Sequence, residues 1–346
     1  DSWYDSGTSV NVVLNYVWSV SSTTRSNLLS YTVDASTTNV ARSGAGTFAV
    51  PTITMSAAHS VGDVGVTQYF LTTTGLVAGS VSSVTASPTA DSWFDAGSDV
   101  NVVLNYAWGV SSGSRSNLFN YTVDAVTTSV PRAGSGTFAL PVITMNAAHS
   151  VSDGARAQYL LTVTGGNGVS YGTASPTGDN WYDAGMSTTV SSNWVWSTIV
   201  GQSRTAITNW QLDAVNQNPS RQGSGTLTTS SVDMSVSHTV TFVSTTQYYL
   251  TNSLVSGSVS SVTASPTTDS WYDSGSSVNV VLNYVWGVSS GSRSNLLSYA
   301  IDSVITGVPR SGSGSFTEPT ITMSAAHSLG DLGVTQHYLT NSLVAG

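Results

Sequence analysis

The sequence predicts an all-β chain built from four tandem copies of one unit, and three observations carry that expectation. The first is internal repetition. DSWYDSG at Asp1 returns as DSWFDAG at Asp91, DNWYDAG at Asp179 and DSWYDSG at Asp269, in steps of 91 − 1 = 90, 179 − 91 = 88 and 269 − 179 = 90 residues. The second is alternation: Val10, Val12, Leu14, Tyr16 and Trp18 fall on one face of an extended segment, and Asn11, Val13, Asn15 and Val17 on the other. That is the period of a half-buried strand. The third is composition. Ser, Thr, Gly and β-branched residues dominate throughout, and each is a weak helix former for reasons of backbone or rotamer entropy.

Within one unit the strand signals follow in order. After the alternating segment come SNLLSYTVD around Tyr31, GTFAVPTITM around Phe48, TQYFLT around Tyr69 and SVSSVTAS around Val84. Turn formers separate them: SSTT, SGAG, and the run Gly165, Gly166, Asn167 and Gly168, which reads as a hairpin turn. Residues 9–18, SVNVVLNYVW, recur identically at 277–286, and GSVSSVTASPT at 79–89 recurs at 257–267, whereas the third copy has diverged. Solenoid repeats run about 20–50 residues, whereas a unit of about 90 residues matches the size of an independent β-sandwich. The expected fold is therefore a row of tandem immunoglobulin-like β-sandwich repeats, four copies of about 90 residues.

Composition excludes several function classes. Hydrophobic residues make up 40% of the 346 residues and charged ones only 8%, which leaves a surface of hydroxyl and amide groups. The nine basic residues are all Arg, the acids are 17 Asp and the single Glu318, and the net charge is −9. No basic patch exists to replace counterions, so nucleic acid is not an expected partner and neither is an anionic membrane surface. No stretch approaches the roughly 18 apolar residues of a membrane span, so no membrane insertion is expected of this segment. The absence of Cys excludes disulfides, thiolate metal sites and thiol catalysis. The opening residues are no signal peptide, so if the protein is exported its targeting and anchoring parts are expected outside this chain.

The conspicuous side chains sit in columns. Trp3, Trp93, Trp181 and Trp271 form one, and Trp18, Trp108, Trp196 and Trp286 another; Trp194 replaces Tyr16, Tyr106 and Tyr284, and Trp210 replaces Tyr31, Tyr121 and Tyr299. Core packing is their expected role, since each buried aromatic removes about 150–250 Å² from water; a carbohydrate-stacking platform is the alternative. Eight of the nine Arg form two columns, headed by Arg25 and Arg42, with Arg156 the exception. Asp columns begin at Asp1, Asp5, Asp34 and Asp63. Asp34 with Arg42, Asp124 with Arg132, Asp213 with Arg221 and Asp302 with Arg310 flank short connections and are expected to pair across them.

Signals of chemistry are weak. GVSSG at 109–113 and 287–291 satisfies G-x-S-x-G, but it lies between two predicted strands with no helix to follow, and reads as a polar turn. His59, His149, His238 and His327 recur once per unit, three of them four residues before an Asp. A catalytic relay needs one preorganised cleft, whereas a residue present in every unit is expected to serve its fold. No enzyme activity, catalytic residue or cofactor is therefore expected. The paired Asp1 and Asp5, Asp91 and Asp95, Asp179 and Asp183, and Asp269 and Asp273 are candidate calcium ligands at junctions between repeats. Two carboxylates fall short of the usual six to eight oxygens, and the alternative is a turn in which Asp caps free N–H groups. The sequon Asn120-Tyr121-Thr122 is a glycosylation candidate.

QYLLTVTGGNGVSYGTASPTGDNWYDAG from Gln158, continuing through SRQGSGTLTTSSVDM to HTVTFVSTTQYYLT, resembles repeats of archaeal cell-surface proteins and of thermopsin-type secreted proteins. The resemblance covers all four units as a pattern and is strongest in the third. It implies an exported, extracellular surface protein, a filament or surface-layer component. It implies no protease, because the D-S-G at Asp5 and Asp273 follows Tyr in a turn-like setting and not in an apolar strand.

That alignment sets the expected boundaries. If each sandwich opens with its QYxLT strand, complete repeats span 66–155, 156–245 (divergent) and 246–334, while 1–65 lacks its opening hairpin and 335–346 is an opening strand without its sandwich. Two explanations are open: a segment of a longer array cut out of register, or a donor strand that completes the first sandwich of another copy. On the second, Thr335, Gln336, Tyr338, Leu339 and Leu343 are the assembly candidates, and head-to-tail polymerisation follows. The expected function is a structural part of a cell-surface fibre, filament or layer, with self-association and possible glycans as partners; a carbohydrate-binding adhesin stalk is the alternative.

Overall fold

The computed structural model describes residues 2–342, and every regular element among them is a β-strand. Among the described residues no helix is long and apolar enough to cross a membrane. The architecture is all-β and sandwich-like, and it divides into two compact units: Asp1–Leu160 with Ser175–Met186, and Leu161–Ala174 with Ser187–Gly346.

In the first unit the second sequence repeat is the more complete. Its larger sheet is built on Ser114–Val123, which pairs antiparallel with Val126–Ser129 and Ala107–Trp108 on one side and with the long strand His149–Thr164 on the other. The facing sheet is Val81–Val84, Val102–Asn105 and Thr137–Ala139. The alternation in V-V-L-N places Val102 and Leu104 inward, where they meet Leu118, Met145, Val151 and Leu71 in one buried core. The same strands recur in the second unit, where Val280 and Leu282 pack on Leu296, Met323, Leu329 and Leu250.

Leu71 and Leu250 come from the preceding repeat. Val61–Gly75 begins in the larger sheet of the first repeat, pairing antiparallel with Thr24–Val33, and then runs on beyond it. Its last third adds, in parallel, to the second repeat, with Leu71 opposite His149 and Thr72 opposite Ser150. Within the second unit Leu161 pairs with His238 and Leu250 with His327 in the same parallel sense. One strand thus serves two cores. The first repeat has no such gift: among the described residues Val13–Asn15 pairs only with Thr47–Ala49, and the buried core shrinks to Leu28, Tyr31, Val40 and Val50.

The hairpin between Thr24–Val33 and Ser36–Asn39 turns on two residues, Asp34 and Ala35, both at positive φ (49° and 64°). This is the turn whose twist suits paired strands. The pattern of Asp followed by Ala or Ser repeats at Asp124, Asp213 and Asp302. Sequence alternation marked the strands here but not this turn, because Ala rarely adopts the left-handed region.

Candidate assembly interface

The charged columns meet where one repeat gives way to the next. In the first unit the buried Arg25 donates from Nε to Gln68 Oε1 at 2.8 Å, from Nη2 to Thr89 Oγ1 at 2.9 Å, and pairs with Asp91 at 2.8 Å. Its guanidinium lies 4.7 Å from the centre of the Trp93 ring. Gln68 passes the network on, donating from Nε2 to Asp95 at 3.0 Å, and Arg42 grips the same carboxylate with both terminal nitrogens, at 3.0 and 2.6 Å. The backbone follows suit, with Trp93, Phe94 and Asp95 antiparallel to Phe70, Tyr69 and Gln68.

This constellation occurs three times. Arg115 meets Gln158, Thr177, Asp179 and Trp181 in the first unit, while Arg132 and Gln158 hold Asp183. Arg204 meets Gln247, Thr267, Asp269 and Trp271 in the second unit, while Arg221 and Gln247 hold Asp273. Gly44, Gly134 and Gly223 make room for it: a Cβ on any of them would come within about 2.2 Å of an Asp91, Asp179 or Asp269 oxygen. Burial opposes ionisation of Asp95 and Asp273, but hydrogen bonds from Arg42 or Arg221 and from Gln68 or Gln247 outweigh it and hold both carboxyls below the usual range.

The expected pairing of Asp34 with Arg42, and of its three counterparts, is not made. Arg42, Arg132 and Arg221 reach forward into the next repeat, and Asp34, Asp124, Asp213 and Asp302 instead hold His59, His149, His238 and His327, at 2.5–2.7 Å. Each also accepts the N–H of the residue after its histidine. Asp34 is held below its ordinary range by the Ser60 N–H first and His59 second; at the other three, burial opposes these bonds and loses. The histidines therefore clamp hairpin turns to the strands beside them.

Of the calcium candidates, Asp91, Asp95, Asp179, Asp183, Asp269 and Asp273 are all engaged by guanidinium groups, Asp5 is exposed, and Asp1 lies outside the described residues. No group of three His, Asp or Glu side chains among the described residues could hold a metal ion. Asn120 is half-buried in the strand Ser114–Val123, opposite Ser129 and Gly154. Of the tryptophans, Trp108, Trp194, Trp210, Trp271 and Trp286 are buried, and Trp93, Trp181 and Trp271 lie beneath arginines. Trp3 is 90% exposed.

Two halves of this arrangement stand without their complements among the described residues. In the first repeat Val61 is 39% exposed, whereas its counterparts Val151, Val240 and Leu329 are at 2%, 0% and 2%. Tyr4 is exposed where Phe94, Tyr182 and Tyr272 are buried, and Asp63 lacks the backbone N–H that Asp153 takes from Val77 and Asp331 from Val255. In the last repeat Leu339 is 86% exposed, whereas Leu71, Leu161 and Leu250 are at 1%, 1% and 2%. Of the assembly candidates, Thr335 and Gln336 lie in the strand His327–His337, Tyr338 and Leu339 follow it in the open, and Leu343 falls outside the described residues.

Comparison with protein-family models, with curated proteins and with solved structures finds no match.

Proposed function

We propose that this chain is a structural component of an extracellular surface fibre, filament or layer, built of four tandem immunoglobulin-like sandwiches and assembled head to tail by strand complementation. The observation that carries the reading is the matched pair of exposures at Val61 and Leu339. Every internal repeat buries a leucine given by its predecessor beside a valine or leucine of its own. Among the described residues the first repeat has the socket without the leucine, and the last has the leucine without a socket. Burying one such leucine contributes about 1.5–3 kcal/mol, and the backbone pairing of a parallel strand adds specificity through its register.

The surface suits the role. Charged residues make up only 8% of the chain, and every regular element among the described residues is a β-strand. The resemblance to exported archaeal repeats supports the cell-surface location.

Leu339→Asp tests the reading. Because Leu339 is exposed, the substitution leaves the fold of the chain intact. Negative-stain imaging and sedimentation should show filaments or multimers for the unaltered chain and monomers for the variant. Filaments that persist in Leu339→Asp contradict the reading.

A further inference from the structure

We infer that Glu318 and Asp331 form a proton-operated latch in the fourth repeat: while Glu318 holds a proton, Asp331 fastens the turn that follows the strand donated by the third repeat, and once both carboxyls are ionised that turn is released. The inference stands apart from the head-to-tail reading, because every residue it uses lies inside the second unit.

The latch is built on a group that is out of place in a core. Glu318 is the only Glu of the chain; it is 3% exposed, and its backbone N–H is tied to the Val280 carbonyl at 2.9 Å. Phe316, two residues earlier, packs against the core of the fourth repeat, and residues two apart in an extended segment share a face. Neither Glu318 oxygen has a hydrogen-bond partner among the described residues, and neither has the buried Oδ2 of Asp331. Asp331 reaches the same core from the strand His327–His337, two residues beyond the buried Leu329. A buried carboxyl without a partner favours its neutral form. Burial first, and the Asp331 charge second, push the Glu318 carboxyl up to about 7.

What the proton controls is set by the other oxygen of Asp331. Oδ1 accepts the Val255 N–H at 2.6 Å, and Val255 opens the turn that ends the donated strand, its carbonyl accepting the Ser258 N–H at 3.0 Å and the Ser258 hydroxyl at 2.6 Å. Leu250 and Leu254, just before it, pack in the core of the fourth repeat. The second repeat has the same clasp, with the Val77 N–H on Asp153 Oδ1 at 2.7 Å and Oδ2 unpartnered, but Leu140 stands there in place of Glu318. It has the clasp without the trigger. The other titratable groups around the pair are Tyr299, opposite Asp331 and packed on Phe316, Tyr284, also packed on Phe316, and His327, held by Asp302. No cation pairs with either carboxyl among the described residues. With Glu318 ionised, two like charges share one core without a counterion, and the movement that separates them takes Asp331 off the Val255 N–H. Because the Glu318 carboxyl is raised above its ordinary 4.5, the latch is closed below about that pH and loosens as the pH rises to about 7.

Hydrogen exchange of single amides in the full chain, followed by NMR, tests the latch. After correction for the intrinsic rate, protection of the Val255 amide should fall at least about tenfold between about pH 5 and 7.5, while that of the Val77 amide, clasped beside Leu140, stays level. Glu318→Leu, which copies the second repeat, should keep Val255 protection level over the same range. Glu318→Gln, which keeps the shape of the protonated acid, should do the same and separates loss of charge from a change in packing. Val255 protection that stays level in the unaltered chain, that falls in step with Val77, or that falls as far in both variants overturns the inference.

Discussion

The guanidinium of Arg25 lies 4.7 Å from the centre of the Trp93 indole, stacked across the boundary between the first and second sequence repeats. It is buried there with Asp91 at 2.8 Å, so its charge is paired, hydrogen-bonded and shielded from water. Removing Arg25 strands Asp91, whose side chain is 32% exposed, which puts the cost at the lower end of the about 3–5 kcal/mol of a buried site. Urea unfolding of Arg25→Met should show a loss of about 3 kcal/mol. The same substitution at Arg293, which has no carboxylate to strand among the described residues, should cost less than about 1 kcal/mol. Equal losses at both positions would contradict the role given to the junctions.

Glu318 makes the last repeat sensitive to pH. It occupies the core position held by Val50 and Leu140, and neither carboxyl oxygen has a hydrogen-bond partner. Burial first, and the nearby Asp331 charge second, push its carboxyl up to about 7. The folded chain then holds a proton that the unfolded chain has released, so this contribution is fully present below about pH 4.5 and is lost as pH rises to about 7. The loss amounts to about 3 kcal/mol. Thermal unfolding followed from pH 5 to 8 should fall for the unaltered chain and stay nearly level for Glu318→Val.

The aspartates that hold the histidines and arginines act in the opposite sense. Asp95, Asp124, Asp213, Asp273 and Asp302 all titrate below their ordinary value of 3.8. Their contribution is present above that value and disappears as pH falls through the lowered ones. Stability of Glu318→Val should accordingly stay level to about pH 4 and drop below it; a decline that begins near pH 6 would contradict this assignment.

Ala125 sits at φ 67° in the turn of its hairpin, a conformation that costs an L-residue about 1–2 kcal/mol. Glycine adopts it freely but loses more entropy on folding. Ala125→Gly should therefore gain about 0.5–1 kcal/mol in urea unfolding, and Ala125→Val should lose at least as much.

Much of the fold was legible because β structure leaves a period of two and tandem duplication leaves a period near 90. The strand positions and the aromatic columns follow from those periods. The partners of the charged columns did not. Asp34 and Arg42 are eight positions apart in the sequence and invite pairing, yet Arg42 reaches Asp95, 53 residues on. A repeat fixes which residues are equivalent, and leaves open whether contacts form within a copy or across to the next. The turn at Asp34 and Ala35 was hidden for another reason: Ala is a poor signal for positive φ, and what holds it there is His59 and Ser60 from a distant strand. Glu318 was visible only as an isolated acid until its alignment with Val50 and Leu140 placed it in a core.

Disulfide trapping between copies tests the central claim most directly, because the chain has no cysteine of its own. In the proposed head-to-tail assembly, the parallel register that sets Thr72 beside Ser150 and Thr251 beside Ser328 would set Thr340 of one copy beside Ser60 of the next. Oxidation of the variant carrying Ser60→Cys and Thr340→Cys should give a ladder of covalent multimers on a denaturing gel, with no ladder when Thr340→Cys is combined with Val64→Cys. A doubly substituted chain that remains monomeric after oxidation, at concentrations where the unaltered chain assembles, would contradict the claim.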